Sequence, residues 1–491
     1  MQSDEITRTR VCIVGAGFSG LALGVRLRDS GVCDFLILDG GKEVGGTWRD
    51  NHYPGCACDV PSRLYSFSFE QNPYWSRKFA PQAEIWAYLQ HCAKKYALVS
   101  HIHLGRELRH ASFNEELGCW QLECQDGSRY ESQVLVAAMG GLSRPTMPVL
   151  PGLASFRGPA FHSARWRHDV SLEGKTVGVI GTGASAIQFV PQIVDRVGSL
   201  VLFQRTPPWI LPRRDRPIRG AWQALYRRIP VVQSIARALV YTQMESRALG
   251  LRSFPSLLKI METRARAHIR SSIRDPLLRE QVTPGFRLGC KRVLLSDDYY
   301  PALEHSSLRL ETSALGRVME DGVELVDGRR INLDVLIFGT GFQATSPIPA
   351  GMLTGRSGLD LADCWKEGPE AYLGTVVSGF PNMFVLMGPN TGLGHNSVVY
   401  MIESQVAYIL QCLEHMQKQG LQRLEVRAEV QAGYNEFLQR QFVGSVWSSG
   451  CASWYLHASG KNTTLWPGMS FSFRRRTRRF ESTDYYDEVY A

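Results

Sequence analysis

Apolar residues along the chain gather into short runs, and several of these runs end abruptly at glycine. Residues 11–14, VCIV, form the first. A continuous run of this length without alternation predicts a strand buried on both faces. Residues 21–27 follow with helical spacing, and residues 35–38 form a second strand that ends at Asp39. The same order returns at 177–180 and 200–203, with a helix expected between them. Two more runs, 134–141 and 334–342, finish in small residues and read as the strands that close each unit. Within 380–397 a further strand and a Gly/Asn turn lead into the helix-patterned VVYMIESQVAYILQCLEHM. Strands alternating with helices predict an α/β fold with parallel sheets. Between 216 and 280 the pattern is helical. Trp222, Leu225, Tyr226 and Ile229 share one face, Pro230 restarts the helix, and Ile235 and Leu239 extend the stripe.

The glycines between strand and helix are spaced for nucleotides. Gly15, Gly17 and Gly20 give G-x-G-x-x-G, and Gly181, Gly183 and Ala186 give G-x-G-x-x-A. The first glycine permits the tight turn, the second lets backbone approach a pyrophosphate, and the third lets helix and strand pack closely. The helix N-terminus then offers free N–H groups to the phosphates. Asp39 stands as far beyond Gly15 as Arg205 stands beyond Gly181. A carboxylate there suits a ribose diol and repels a 2′-phosphate, whereas arginine grips one. The first turn is therefore expected to hold FAD or NAD, and the second NADPH. Flavin plus NADPH is the natural electron-transfer pair.

The expected architecture is two Rossmann-like dinucleotide-binding domains, for FAD and for NADP. Residues 1–145 are the first part of the FAD domain, and 146–215 with 281–345 are the NADP domain. Residues 216–280 are a helical insertion roofing the active site, and 346–491 return to the FAD domain and end in an active-site loop.

Length and composition fit this picture. The chain has 491 residues, 44% hydrophobic and 21% charged, with a formal charge of +9. Much of the arginine lies in runs such as RRDRPIRG, read as solvated faces and pockets for phosphorylated cofactors rather than a nucleic-acid surface. The eleven cysteines include no Cys-x-x-Cys pair and no zinc spacing, so no metal site is expected. Reduced, mostly buried thiols and a cytoplasmic location are expected instead. The start lacks an apolar leader core, and no run of about 18 apolar residues exists to span a bilayer. The basic FRRRTRRF and the acidic stretch after it read as a solvated or self-paired tail.

Between the two turns lies FRGPAFHSARWR, in which Phe156, Gly158, His162 and Trp166 stand out. Those four residues resemble the Phe-x-Gly-x-x-x-His-x-x-x-Trp fingerprint of the type I Baeyer–Villiger monooxygenases, whose next position, Pro or Asp, is Arg167 here. The stretch 45–69 resembles the family's flavin-side loop, with Thr47, Trp48, Tyr53, Asp59 and Tyr65. GCKRVLLSDDYY resembles the segment that holds its active-site Lys-Arg, here Lys291 and Arg292. CASWYL resembles the C-terminal loop whose tryptophan, here Trp454, closes over the nicotinamide ribose.

The resemblance implies that NADPH reduces FAD, oxygen adds at flavin C4a, and the peroxide attacks a small-molecule ketone to give an ester or lactone. It implies Arg292 and Asp59 as the catalytic pair. Thr182, Ala184, Ser185, Gln188 and Thr206 join the glycines, Arg205 and Lys291 around the nucleotides. His162 and Trp166 are expected to act as a hinge that senses NADPH, rather than His162 serving as a general base. Three rivals follow from the same motifs. A flavin monooxygenase acting on nitrogen or sulfur shares both nucleotide folds. A flavin disulfide reductase requires a dithiol that the spacing does not provide. A redox-sensing protein that binds both nucleotides without turnover is the third.

Overall fold

The computed structural model describes residues 6–252, 254–344, 348–451 and 453–488. Ala452 of the CASWYL motif and the end of the acidic stretch lie outside the described residues. Two sheets organise the chain. In the first, strand Ile6–Val14 lies between Phe35–Asp39 and Arg129–Ala137, parallel to both. Val11, Cys12 and Ile13 are wholly buried, as an unalternating run requires. Strand Met383–Val385 adds in parallel to Arg129–Ala137, so a segment late in the chain completes the sheet begun by the first strand. The 380–397 stretch ends where Ser397 caps helix Val398–Gln419, its side chain accepting from the Val399 N–H.

The second sheet runs Leu308–Glu311, Ser199–Phe203, Thr176–Ile180, Val335–Phe338, Ala160–His162, all parallel. Each sheet is a Rossmann-like unit, with its glycine turn at the C-terminal end of a central strand. The fingerprint stretch contributes the edge strand Ala160–His162 and then the short 3₁₀ turn Ser163–Arg165. Two segments cross between the sheets side by side. Thr146 N–H donates to Gly341 O at 2.9 Å, Gln343 N–H to Arg144 O at 3.0 Å, and Thr340 Oγ1 to Thr146 O at 2.6 Å.

The insertion is helical, as its pattern predicts, but its apolar stripe faces outward. Helices Gly220–Arg228 and Pro230–Glu245 meet at Pro230, which takes the first helical position. Tyr226 is buried, whereas Trp222, Ile229, Ile235 and Leu239 are exposed. The inward face of the second helix is polar. Gln233 donates to Asn72 O at 2.8 Å. Arg237 donates to Arg63 O, Ser66 Oγ and Ser66 O at 2.8, 2.9 and 3.0 Å. Tyr241 bonds Ser470, and Glu245 accepts from Ser470 Oγ and Asn396 Nδ2. Residues four apart share a helix face, so one polar stripe docks the whole helix by hydrogen bonds. Apolar spacing does not mark this docking face, because its partners are carbonyls, hydroxyls and an amide on other segments.

The basic run near the C-terminus is folded rather than a free tail. Helix Ser470–Thr477 buries Phe473, while Arg474 and Arg476 lie over the rings of Tyr400 and Phe437. Strand Tyr485–Glu488 then pairs antiparallel with Arg423–Val426, and Tyr485 shares a buried hydroxyl contact with Tyr408 at 2.6 Å. Among the described residues, no helix is long and apolar enough to cross a membrane.

The inverted insertion helix makes a paired prediction for urea unfolding. Arg237→Met should destabilise the protein by about 2 kcal/mol, because it strands buried acceptors. Leu239→Lys, at a position 68% exposed, should change stability by no more than about 0.5 kcal/mol. The reverse ranking would refute the polar-inward orientation.

Candidate active site

Both turns are built as nucleotide cradles. Gly15 has φ +116°, and a Cβ there would meet Ala138 O at 2.5 Å. A Cβ on Gly20 would lie 1.9 Å from Gly15 O, so only glycine lets this helix approach. Gly17 is different: a Cβ there would meet only Gly46 Cα, at 3.7 Å. In the second turn Gly181, φ +105°, is packed against Gly339 O, while Gly183 is open apart from one contact at 3.8 Å. Ala186 is wholly buried at the third position. In each turn the first and third positions are fixed by packing and the middle one faces open space. Helices Phe18–Asp29 and Ala186–Ile193 have no side-chain cap, which leaves their first N–H groups for an anion. The residues present therefore fit two dinucleotides.

The charges beside the turns differ in sign. Asp39 is buried and accepts from the N–H groups of Ala16 and Gly41 at 2.7 and 2.8 Å, and from Arg49 Nη1 at 2.6 Å. Arg205 is exposed beside the second turn, and Thr182 Oγ1 ties that turn to Thr206 O at 3.3 Å. Lys291 faces Arg205. Burial and then the charge of Arg205 hold its amine below the usual lysine range. Ala184 is exposed and Ser185 half-buried at the mouth of the turn. The amide of Gln188 points elsewhere, donating to Ala57 O at 3.0 Å and accepting from Tyr53 Oη at 3.1 Å and Ala57 N–H at 3.2 Å. Its side chain joins the helix of the second turn to the flavin-side loop.

Asp59 and Arg292 meet across this interface. Arg292 donates from Nε at 3.1 Å and from Nη2 at 2.5 Å, both to Asp59 Oδ2. Burial alone would raise the Asp59 pKa, but the charge and hydrogen bonds of Arg292, its own backbone N–H and Arg213 together hold it below the usual carboxylate range. The charge of Asp59 lifts Arg292 further above its already high value, against the opposing effect of burial. Trp48 and Tyr65 stand nearby, joined by an Nε1–H to Oη bond of 3.1 Å, and Thr47 opens the short helix Thr47–Asp50.

Tyr455, which the sequence reading passed over, lies within reach of the pair. Burial pushes its hydroxyl up to about 12, moderated by the charge of Arg292. Its neighbour Trp454 is exposed, with the two rings 4.6 Å apart. The only sequence signal for Tyr455 was adjacency to that tryptophan.

The cysteines depart from the expectation of reduced thiols. Cys290 and Cys451, 161 residues apart, form a disulfide, and nine others are free. The bond ties the Lys291–Arg292 segment to the loop of Trp454. Short-range spacing rules do not detect a pair brought together by the fold.

The fingerprint sits at the crossing segments. A Cβ on Gly158 would lie 2.1 Å from Asp334 O, which requires glycine. Phe156 is half-buried against the second sheet's core. His162 is buried, its Nδ1 accepts from Ala164 N–H at 3.1 Å, and its ring stands 5.6 Å from that of Phe342 on the returning crossover. Burial lowers the pKa of His162, so the ring is neutral near pH 7. Trp166 packs on Phe189, and Phe189 on Tyr53, at 5.2 and 6.0 Å. Arg167 is exposed and pairs with Asp169.

Two dinucleotide cradles facing one Arg–Asp pair define an oxidoreductase that joins two nucleotide cofactors. The flavin-binding monooxygenase-like family matches residues 8–239. A Baeyer–Villiger monooxygenase of Pseudomonas aeruginosa is 51% identical over 479 residues, 97% of this chain and 91% of that one. Among solved structures, an oxidised steroid monooxygenase bound to NADP superposes with a TM-score of 0.85 at 29% identity, covering 96% of this chain and 97% of that one. The structure of OTEMO with FAD and NADP gives 0.85 at 25% identity, with 96% and 97% covered. The chain belongs to the Baeyer–Villiger monooxygenases.

Thiol counting tests the disulfide. Alkylation of denatured, unreduced protein should label nine cysteines, and prior reduction should raise the count to eleven. Eleven labels without reductant would remove the Cys290–Cys451 bond.

Proposed function

We propose that the protein is an FAD-dependent monooxygenase that uses NADPH and O₂ to convert a small-molecule ketone into an ester or lactone. The observation that carries this reading is the Asp59–Arg292 pair in a chain that also builds two glycine cradles with open middle positions. The Pseudomonas aeruginosa relative and the NADP- and FAD-containing structures support it. FAD, when bound, takes hydride from NADPH and activates oxygen for transfer to the ketone.

The chain's own groups do the positioning. Gly15, Gly17, Gly20 and the uncapped helix behind them hold the FAD pyrophosphate, and Asp39 accepts from its ribose. Gly181, Gly183 and their helix do the same for NADPH, with Arg205, Thr206 and Lys291 around the 2′-phosphate. The repulsion between Lys291 and Arg205 is relieved when that phosphate arrives. Arg292 places a permanent cation where negative charge develops on oxygen. Guanidinium serves because it does not give up its proton near neutral pH, so it stabilises the charge without quenching it. Asp59 fixes that guanidinium in place by two hydrogen bonds. Its lowered pKa keeps the pair charged at working pH. The stability this contributes is present above the ordinary aspartate value of about 3.9 and is lost as pH falls through the lowered one.

His162 and Trp166 act as a hinge between the NADP and FAD units. A neutral imidazole packed on Phe342 moves with the crossing segments, and the Trp166–Phe189–Tyr53 ring series reaches the flavin-side loop. The reading places the enzyme in the cytoplasm, where thiols stay reduced. The nine free cysteines favour this, and the one disulfide is the exception.

Arg292→Ala should still be reduced by NADPH in anaerobic stopped flow but lose about 10²–10³ in ester formation, the scale of one preorganised charge. Undiminished ketone turnover would end the assignment. His162→Ala should keep the shape of the pH–rate profile while releasing more hydrogen peroxide per NADPH. Loss of one limb of that profile would make His162 an acid–base group instead.

A further inference from the structure

A cavity of about 1300 Å³ opens beside Asp59, between the flavin-side loop and the helical insertion. Its floor is a pair of extended segments: Lys78 N–H donates to Arg216 O at 2.9 Å, and Ile218 N–H to Ser76 O at 2.7 Å. Helices Pro230–Glu245 and Pro255–Ser272 supply the opposite walls. Phe79, Ile218, Met244 and Met261 give it an apolar lining.

The charges in this lining are one-sided. Arg63, Lys78, Arg214, Arg216, Arg247 and Arg264 all face the cavity, and among the described residues none of them makes an ion pair. Among the described residues Asp59 is the one carboxylate in the wall, and it is already bonded to Arg292. Lys78 feels the crowding. Its amine lies below the usual range through burial and then through the charges of Arg216 and Arg247. Arg213 sits at the end nearest Asp59, with Nη2 donating to Cys58 O at 3.0 Å and a buried Nε that has no partner. These cations are separate from the nucleotide's own, since Gly181, Arg205 and Lys291 do not line the cavity.

Unpaired cations gathered around one open cleft repel one another, and an anion arriving there relieves the repulsion while making charge-assisted hydrogen bonds. The apolar lining calls for hydrocarbon between that anion and the reacting end beside Asp59 and Arg292. We propose that this cleft is the binding site for the acidic end of the substrate, a ketone that carries a carboxylate at the far end of an apolar chain. The proposal rests on the ketone-oxidising reading above.

The test compares, in the FAD-loaded enzyme with NADPH, a long-chain methyl-ketone acid with its methyl ester. The ester keeps the carbonyl and the chain but removes the charge. The wild type should favour the acid by at least about tenfold in kcat/KM, with the preference shrinking as salt rises. R216Q and R247Q, alone and combined, should lower turnover of the acid while leaving the ester and the rate of flavin reduction by NADPH unchanged. Equal turnover of acid and ester by the wild type, or a ratio the variants do not alter, would overturn the proposal while leaving ketone oxidation intact. A phosphate-bearing ketone preferred over the carboxylate would overturn the choice of anion. Failure of all ketones, with normal flavin reduction, would remove the ketone-oxidising reading itself and this inference with it.

Discussion

Asp59 and Arg292 are separated by 233 residues, and neither would be comfortable at its position alone. A partly buried carboxylate without its cation protonates, and a guanidinium without its carboxylate stays charged and uncompensated. The pair is therefore formed only when the flavin-side loop and the segment after the insertion are brought into register. Much of the rest of the structure serves that alignment. The crossing segments 144–146 and 340–343 are hydrogen-bonded to each other, which limits how the two sheets can turn. Gln188 locks the second turn's helix to the loop that leads to Asp59, and the Cys290–Cys451 bond fixes the segment that leads to Arg292.

The alignment also explains why the fingerprint is placed away from the reacting groups. Its glycine is needed where Asp334 O comes too close for any side chain, its histidine where the returning crossover passes, and its tryptophan where Phe189 packs. Each of these contacts is made on or beside a connection between the sheets. A rotation of one sheet against the other would first disturb these contacts, and only through them the ion pair. The hinge proposed for His162 and Trp166 would depend on packing and on a neutral imidazole rather than on proton transfer.

The features legible in the sequence were those set by local geometry. A position such as Gly20, where a Cβ would lie 1.9 Å from Gly15 O, or a turn that needs positive φ, leaves the same mark in any chain that folds this way. The strand runs were legible for the same reason, because both faces of each strand are covered. The helical spacing of the insertion was legible but not the side it docks, since its inward face is made of Gln233, Arg237, Tyr241 and Glu245, whose partners lie on other segments. The disulfide and Tyr455 were hidden because their neighbours are distant in the chain. Gln188 has, beyond the nucleotide role expected from its place behind the second turn, an amide bridge to Ala57 and Tyr53 that no local spacing reveals.

Asp59 is also a boundary between two positive regions. On one side stands Arg292, and on the other the unpaired cations of the cleft. An acidic substrate group entering such a field is drawn toward every guanidinium it can reach, Arg292 included. If it paired there, it would occupy the side of the guanidinium that Asp59 leaves free for the reacting oxygen. Asp59 prevents this by already occupying Arg292 through two donors, so an incoming carboxylate finds its free partners only farther out. In the proposed function, one carboxylate would thus orient Arg292 and keep an acidic substrate's own charge at a distance from it. The lowered pKa of Asp59, to which Arg213 contributes from the cleft side, keeps that barrier ionised to a lower pH than an ordinary aspartate would be.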